Sequence, residues 1–167
     1  MNAICMVAHP DDCVIFGLGY ILAHPEFSWK ICYLTYRHNT QRGAEISNFW
    51  AHRNISVDFL GFPDNKKDIV LNKLSFNPTM ARNFIRTEIE SFDIVLTHNV
   101  QGEYGHVHHK FVHDCCQDHP GLVTFAKEGV AYSVPSDYYT LEELPAHARI
   151  VKQFVDPTNQ INYYSKP

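Results

Sequence analysis

No apolar run in this 167-residue chain approaches the ~18 residues that would suggest a membrane span. The amino terminus lacks the charged and apolar regions of a cleavable secretion signal. Basic charge is not in surplus either. With 14 Lys and Arg against 18 Asp and Glu, the net charge of -4 leaves no footprint for nucleic acid or anionic lipid. The charges are scattered, and there is no low-complexity tract and no repeat. The cysteines Cys5, Cys13, Cys32, Cys115 and Cys116 are odd in number and form no C-x-x-C pair. They read as structural residues in a reducing, cytoplasmic setting. No G-x-G-x-x-G follows the first apolar segment, which disfavours a dinucleotide site.

What is present is one domain's worth of ordinary globular sequence, residues 1–167, able to bury a core without staples. Four short apolar segments, 3–8, 30–36, 57–62 and 92–98, alternate with stretches of helical period. The first three are almost continuously apolar, as in strands covered on both faces. Val14, Ile15, Leu18, Ile21 and Leu22 mark a first helix, and Ile46, Phe49 and Trp50 a second. Asn77 caps a third that starts on Pro78, with Ala81, Phe84, Ile85 and Ile89 as its stripe. Val107, Phe111, Val112 and Cys115 mark a fourth. This alternation predicts an α/β fold with right-handed crossovers and a mostly parallel sheet. After residue 120, 121–126, 129–134 and 149–155 read as further strands, and 134–145 as a loop.

Ligands of such sheets sit beyond the carboxyl ends of the strands. His9, Asp11 and Asp12 follow the first strand, Thr35 to Asn39 the second, Pro63 and Asp64 the third, and His98 and Asn99 the fourth. One rim therefore collects the polar residues. A hydrolytic zinc site needs three nitrogen or oxygen ligands and room for water. His9 and Asp12, three apart across a strand-to-helix turn, can converge on one ion, with Asp11 between them as base. Helix capping by an aspartate is the simpler use of "HPDD". The later run "GEYGHVHH" favours a site: His106 and His109 share a helical face that His113 continues, while His108 is expected to point away, into solvent. Gly102 and Gly105 allow a close backbone approach before that helix, and His98, at a strand end, can border the site.

"AHPDD" (8–12) paired with "GEYGHVHH" (102–109), with "LGFPD" (60–64) between, resembles the PIG-L/LmbE-like family of zinc-dependent N-deacetylases over residues 3–118. The resemblance implies a Rossmann-like three-layer fold and removal of an acyl, usually acetyl, group from the amide nitrogen of an amino sugar or related small molecule. It implies His9, Asp12 and His109 as metal ligands, Asp11 as general base, and His106 as the group that stabilises the oxyanion or protonates the leaving amine. Zinc is the expected cofactor, with Fe2+ or another divalent ion as alternatives. A homo-oligomer is also implied. Arg37 and Arg42 stand where the family often carries a Gly-Glu pair, and with Glu103 and Tyr104 they are the expected substrate contacts. The alternatives are a metal-dependent hydrolase of another amide or an ester, and a silent ligand-binding module.

Overall fold

In the computed structural model, residues 1–125 and Pro145 are described. The chain runs β1 (Asn2–Val7), a π-helical turn (Cys13–Gly17) leading into α1 (Leu18–Ala23), then β2 (Ser28–Thr35), α2 (Gln41–Ala51) and β3 (Ser56–Phe62). It continues through α3 (Lys66–Leu71), α4 (Pro78–Ile89), β4 (Ile94–Thr97), α5 (Gly102–Gly105), α6 (Val107–Cys116) and β5 (Leu122–Thr124). The strands form one sheet in the order β3-β2-β1-β4-β5, every neighbouring pair parallel. The expected strands thus form within one or two residues of their ends, and 121–126 supplies β5. The expected elements at 129–134 and 149–155, and nearly all of the 134–145 loop, lie outside the described residues.

Alternation along β1 builds the three layers. Ala3, Cys5 and Val7 pack with the α1 and α2 residues Leu18, Ile21, Ile46, Phe49 and Trp50. Ile4, Met6 and Ala8 face the other way, onto Ala81 and Ile85 of α4 and Phe111, Val112 and Cys115 of α6. Each fully buried Ile or Leu contributes roughly 1.5–3 kcal/mol, so both faces of the central strand anchor the fold. The indole of Trp50, deep in the α2 layer, is satisfied, since its Nε1 donates to Tyr33 Oη at 3.0 Å. As expected, Asn77 caps α4, its side chain accepting from Met80 N at 3.0 Å.

Two expectations fail here. Among the described residues β3 is not covered on both faces: it lies at the edge of the sheet, and within it only Phe62 is buried. Its apolar run reads like a central strand because the edge is shielded only in part. Phe84 is 55% exposed and stands off the α4 stripe that Ala81, Ile85 and Ile89 bury. Helix α3 has no counterpart in the periodicity, because Ile69, Val70 and Leu71 all face outward.

The strand order reverses at β1, which has β2 on one side and β4 on the other. That switch point opens a crevice at the carboxyl edge. Two threonines tie its walls together. Thr35 at the end of β2 donates through Oγ1 to Ala8 O at 2.7 Å, and Thr97 at the end of β4 donates to Met6 O at 2.6 Å.

Candidate metal centre

His9, Asp12 and His109 meet in this crevice. His9 Nδ1 lies 3.1 Å from Asp12 Oδ2 and 3.2 Å from His109 Nε2, and the latter two are 3.3 Å apart. Three atoms so spaced, each about 2.1 Å from one ion, would subtend angles of about 100° there, close to tetrahedral. All three residues are buried. The capping alternative fails for Asp12: its carboxylate makes no helix cap and instead accepts His9 N at 2.7 Å. Burial alone would raise the Asp12 pKa, but His109 and His9 hold it well below the usual carboxylate range. A divalent cation fits this donor set of two imidazoles and one carboxylate, and would take the place of protons there.

The His109 ring is fixed from behind. Its Nδ1 donates to Glu103 Oε2 at 2.6 Å, which leaves the Nε2 lone pair aimed at the triad. Glu103 also receives His98 Nδ1 at 2.8 Å and Asn99 N at 2.9 Å. These imidazoles outweigh the desolvation of the carboxyl and hold it at about 2. His98 Nε2 accepts Ala8 N at 3.0 Å, so that ring is held neutral although Glu103 and Asp12 pull its pKa upward. His113 Nδ1 donates to His98 O at 2.9 Å and steadies the β4 end of the crevice. Glu103, which the sequence led one to expect as a substrate contact, instead turns its carboxylate inward to His98, His109 and Asn99. It turns inward because its backbone takes φ 56°, ψ -79°, held by a 3.1 Å bond from Glu103 N to Asn99 Oδ1. Gly102 makes the turn possible: its φ is +65°, and a Cβ there would lie 2.9 Å from Lys110 Cγ.

His106 is the N-cap of α6 and not its first face residue. Its Nδ1 accepts His108 N at 3.1 Å, so the neutral ring carries its proton on Nε2. Burial and the neighbouring His109 and His9 push its pKa down to about 3, which keeps it neutral. Its ring centroid is 4.6 Å from those of both His9 and His109. The nitrogens of His9, His106 and His109 also cluster closely enough to share an ion, but the cap occupies His106 Nδ1.

Asp11 is buried in the same loop, and Arg42 Nη2 donates to its Oδ1. Arg42 Nη1 donates to Tyr36 Oη at 2.7 Å, and Tyr36 Oη in turn to Asp64 Oδ2 at 2.9 Å. Arg42 is thus committed to the loop it faces. Arg37 is exposed, with its Nε 3.1 Å from where a Gly61 Cβ would stand. Tyr104 is 59% exposed, and its ring lies 5.3 Å from that of His109 in a T-shaped contact. His108 does not face solvent as expected. It is fully buried, its Nδ1 3.1 Å from His9 Nε2 and its Nε2 2.8 Å from Asp68 Oδ2. Asp68 was missed entirely, and only Asn65, capping α3 through a bond from Lys67 N, signals its helix.

The family model described as PIG-L, GlcNAc-PI de-N-acetylase, matches residues 4–118, which include His9, Asp11, Asp12, His106 and His109. The chain belongs to that family. Uncharacterized protein L374 of Acanthamoeba polyphaga mimivirus is 30% identical over 142 residues, covering 74% of this chain and 61% of that protein. This PIG-L family chain therefore spans about three-fifths of that relative's length. Among solved structures, a deacetylase of the teicoplanin biosynthesis pathway superposes with a TM-score of 0.60 at 13% identity, over 98% of this chain and 96% of that one. N,N'-diacetylchitobiose deacetylase from Pyrococcus horikoshii gives 0.56 at 16% identity, over 91% and 69%. GalB, the 4-carboxy-2-hydroxymuconate hydratase of Pseudomonas putida KT2440, gives 0.53 at 16%, over 70% and 54%. At such identities these likenesses establish the fold alone. Among the described residues, no helix is long and apolar enough to cross a membrane.

Proposed function

We propose that the chain is a metal-dependent N-deacetylase that hydrolyses the amide of an N-acylated small molecule, with an amino sugar as the substrate class. The observation that carries this reading is the triangle of His9 Nδ1, Asp12 Oδ2 and His109 Nε2 at the switch point, within the span the family model matches. Those three residues would hold the ion, zinc by preference, since two imidazoles and a carboxylate suit it. When bound, such an ion lowers the pKa of a water and polarises an acyl oxygen.

The protein's own groups do the rest. Asp11, kept in place by Arg42, takes the proton from the attacking water. His106, neutral with its proton on Nε2, donates to the oxygen of the tetrahedral intermediate. A ring held neutral has no spare proton for the amine, so the proton taken by Asp11 goes to the leaving nitrogen. The C–N bond then breaks to give the free amine and acetate. Tyr104, Arg37 and Arg42 are the side chains that would meet the substrate, Arg42 while it holds Asp11.

A panel of N-acetyl amino sugars, acyl esters and an unsaturated acid, incubated with zinc-replete protein, tests this reading. The expected result is acetate and free amine from the N-acetyl compounds. Ester turnover alone, or hydration of the unsaturated acid as in the hydratase that shares the fold, would refute it.

A further inference from the structure

Helix α6 carries a buried imidazole that no step above uses. His108 is fully buried, and its two nitrogens face different partners: Nδ1 meets His9 Nε2 at 3.1 Å, and Nε2 meets Asp68 Oδ2 at 2.8 Å. Asp68 is buried as well, and the same oxygen receives Ser75 N at 3.0 Å and Ser75 Oγ at 2.9 Å. Proton positions follow from the far end. A carboxylate can only accept, so His108 Nε2 carries a hydrogen and Nδ1 keeps a lone pair. That lone pair accepts from His9 Nε2–H, and the lone pair of His9 is then confined to Nδ1, the atom in the triangle with Asp12 and His109. Among the described residues, Asp64 Oδ1 also lies near His9 Nε2, but at 3.6 Å it is beyond good hydrogen-bond length.

We propose that His108 and Asp68 are positioning residues for the metal ligand His9, a relay that sets its tautomer and ring angle from behind. It rests on the metal reading above. The site is then braced on both sides: Glu103 fixes His109 directly, and Asp68 fixes His9 through an inserted imidazole. Outer partners of this kind commonly change metal affinity by about 10–100-fold when removed.

Zinc dissociation constants, measured by competition with a chromophoric chelator, test this on the parent chain and on His108→Leu, Asp68→Asn, the double variant, His108→Gln and Asp64→Asn. Melting of the metal-free proteins checks folding, and Asp68→Asn keeps side-chain volume should His108→Leu fail to fold. The expected result is about 10–100-fold weaker zinc binding in His108→Leu and Asp68→Asn, with the double variant no weaker than the weaker single. His108→Gln, which presents one acceptor and one donor, should recover much of the loss, and Asp64→Asn should bind like the parent. Nitrogen-15 spectra of the zinc-loaded parent should show His9 protonated at Nε2. A parent chain that holds no zinc would overturn the metal reading and this inference with it. A parent that binds one ion while His108→Leu and Asp68→Asn bind equally tightly would overturn this inference alone. So would two ions per chain, since a second ion between His9 Nε2, His108 Nδ1 and Asp64 would displace the relay proton.

Discussion

Glu103→Gln is the sharpest probe of how the centre is held together. The carboxylate takes three donors, His98 Nδ1, His109 Nδ1 and Asn99 N, and an amide cannot serve all three. If its oxygen faces the imidazoles, its NH2 opposes the Asn99 N–H. If its NH2 faces them, His109 must move its proton to Nε2 and lose the lone pair aimed at the triad. Hydrogen bonds to a buried charged group are worth about 1.5–3 kcal/mol when broken. The linkage argument gives a similar figure. A carboxyl held at about 2 instead of 4.5 stabilises the fold by about 3 kcal/mol once it is ionised in both states. The sign is fixed by a depressed pKa: the contribution is complete above pH ~4.5 and is lost as pH falls toward 2. The metal-free Gln variant should therefore melt about 5–10 °C below the parent at pH 7, with the gap closing as pH is lowered from 4.5. Its zinc affinity should fall by about 10–100-fold. Urea or thermal unfolding in chelator from pH 2.5 to 7, with zinc titrations at pH 7, reads both effects. A variant that matches the parent in melting and in zinc affinity at pH 7 would show that the inward carboxylate holds nothing.

The adjacent aspartates should separate. Asp12→Ala should lose most bound zinc by elemental analysis, while Asp11→Asn should keep zinc and lose about 10²–10⁴-fold in acetate release. Parent-rate turnover by metal-loaded Asp11→Asn would remove that residue from the base role. His106→Ala should keep zinc and lose about 10²–10³-fold in kcat, and substantial zinc loss would mark it as a ligand instead.

The sequence exposed the parts of this molecule whose signal is local. Alternation of strand and helix placed β1 to β5, and polar residues directly after an apolar strand placed His9, Asp11 and Asp12 on the rim. His108 was misread because the helical count began at His106, which caps α6 and lies outside the helix. Counting two positions on from a face residue sends His108 outward; counting from the cap leaves it in the first turn, which here is covered on its other side by Asp68. That cover was invisible because α3 buries no apolar stripe, its Ile69, Val70 and Leu71 all facing out. Glu103 was misread for a backbone reason: a positive φ at a non-glycine residue has no compositional mark, and that dihedral turns the carboxylate inward.

His9 and His109 stand 100 residues apart in the chain, and β1–β4 pairing with α6 packed on β1 closes that gap. β1 and β4 pair with Met6 opposite Thr97, so the next turns of chain deliver His9 and His98 to the same edge. Side chains alternate along a strand, so a slip of one residue in this register would reverse every face of β4. Cys5 opposite Leu96 and Ile4 opposite Val95 resist such a slip, because the two pairs are fully buried in different core layers. The Thr97 and Thr35 hydroxyls fasten the strand ends to β1 where the loops begin. The geometry of the His9–Asp12–His109 triangle is therefore set by core packing several residues away from it. Shortening Ile4 or Val95 would loosen the centre through register, while Glu103 and Asp68 act on the rings themselves.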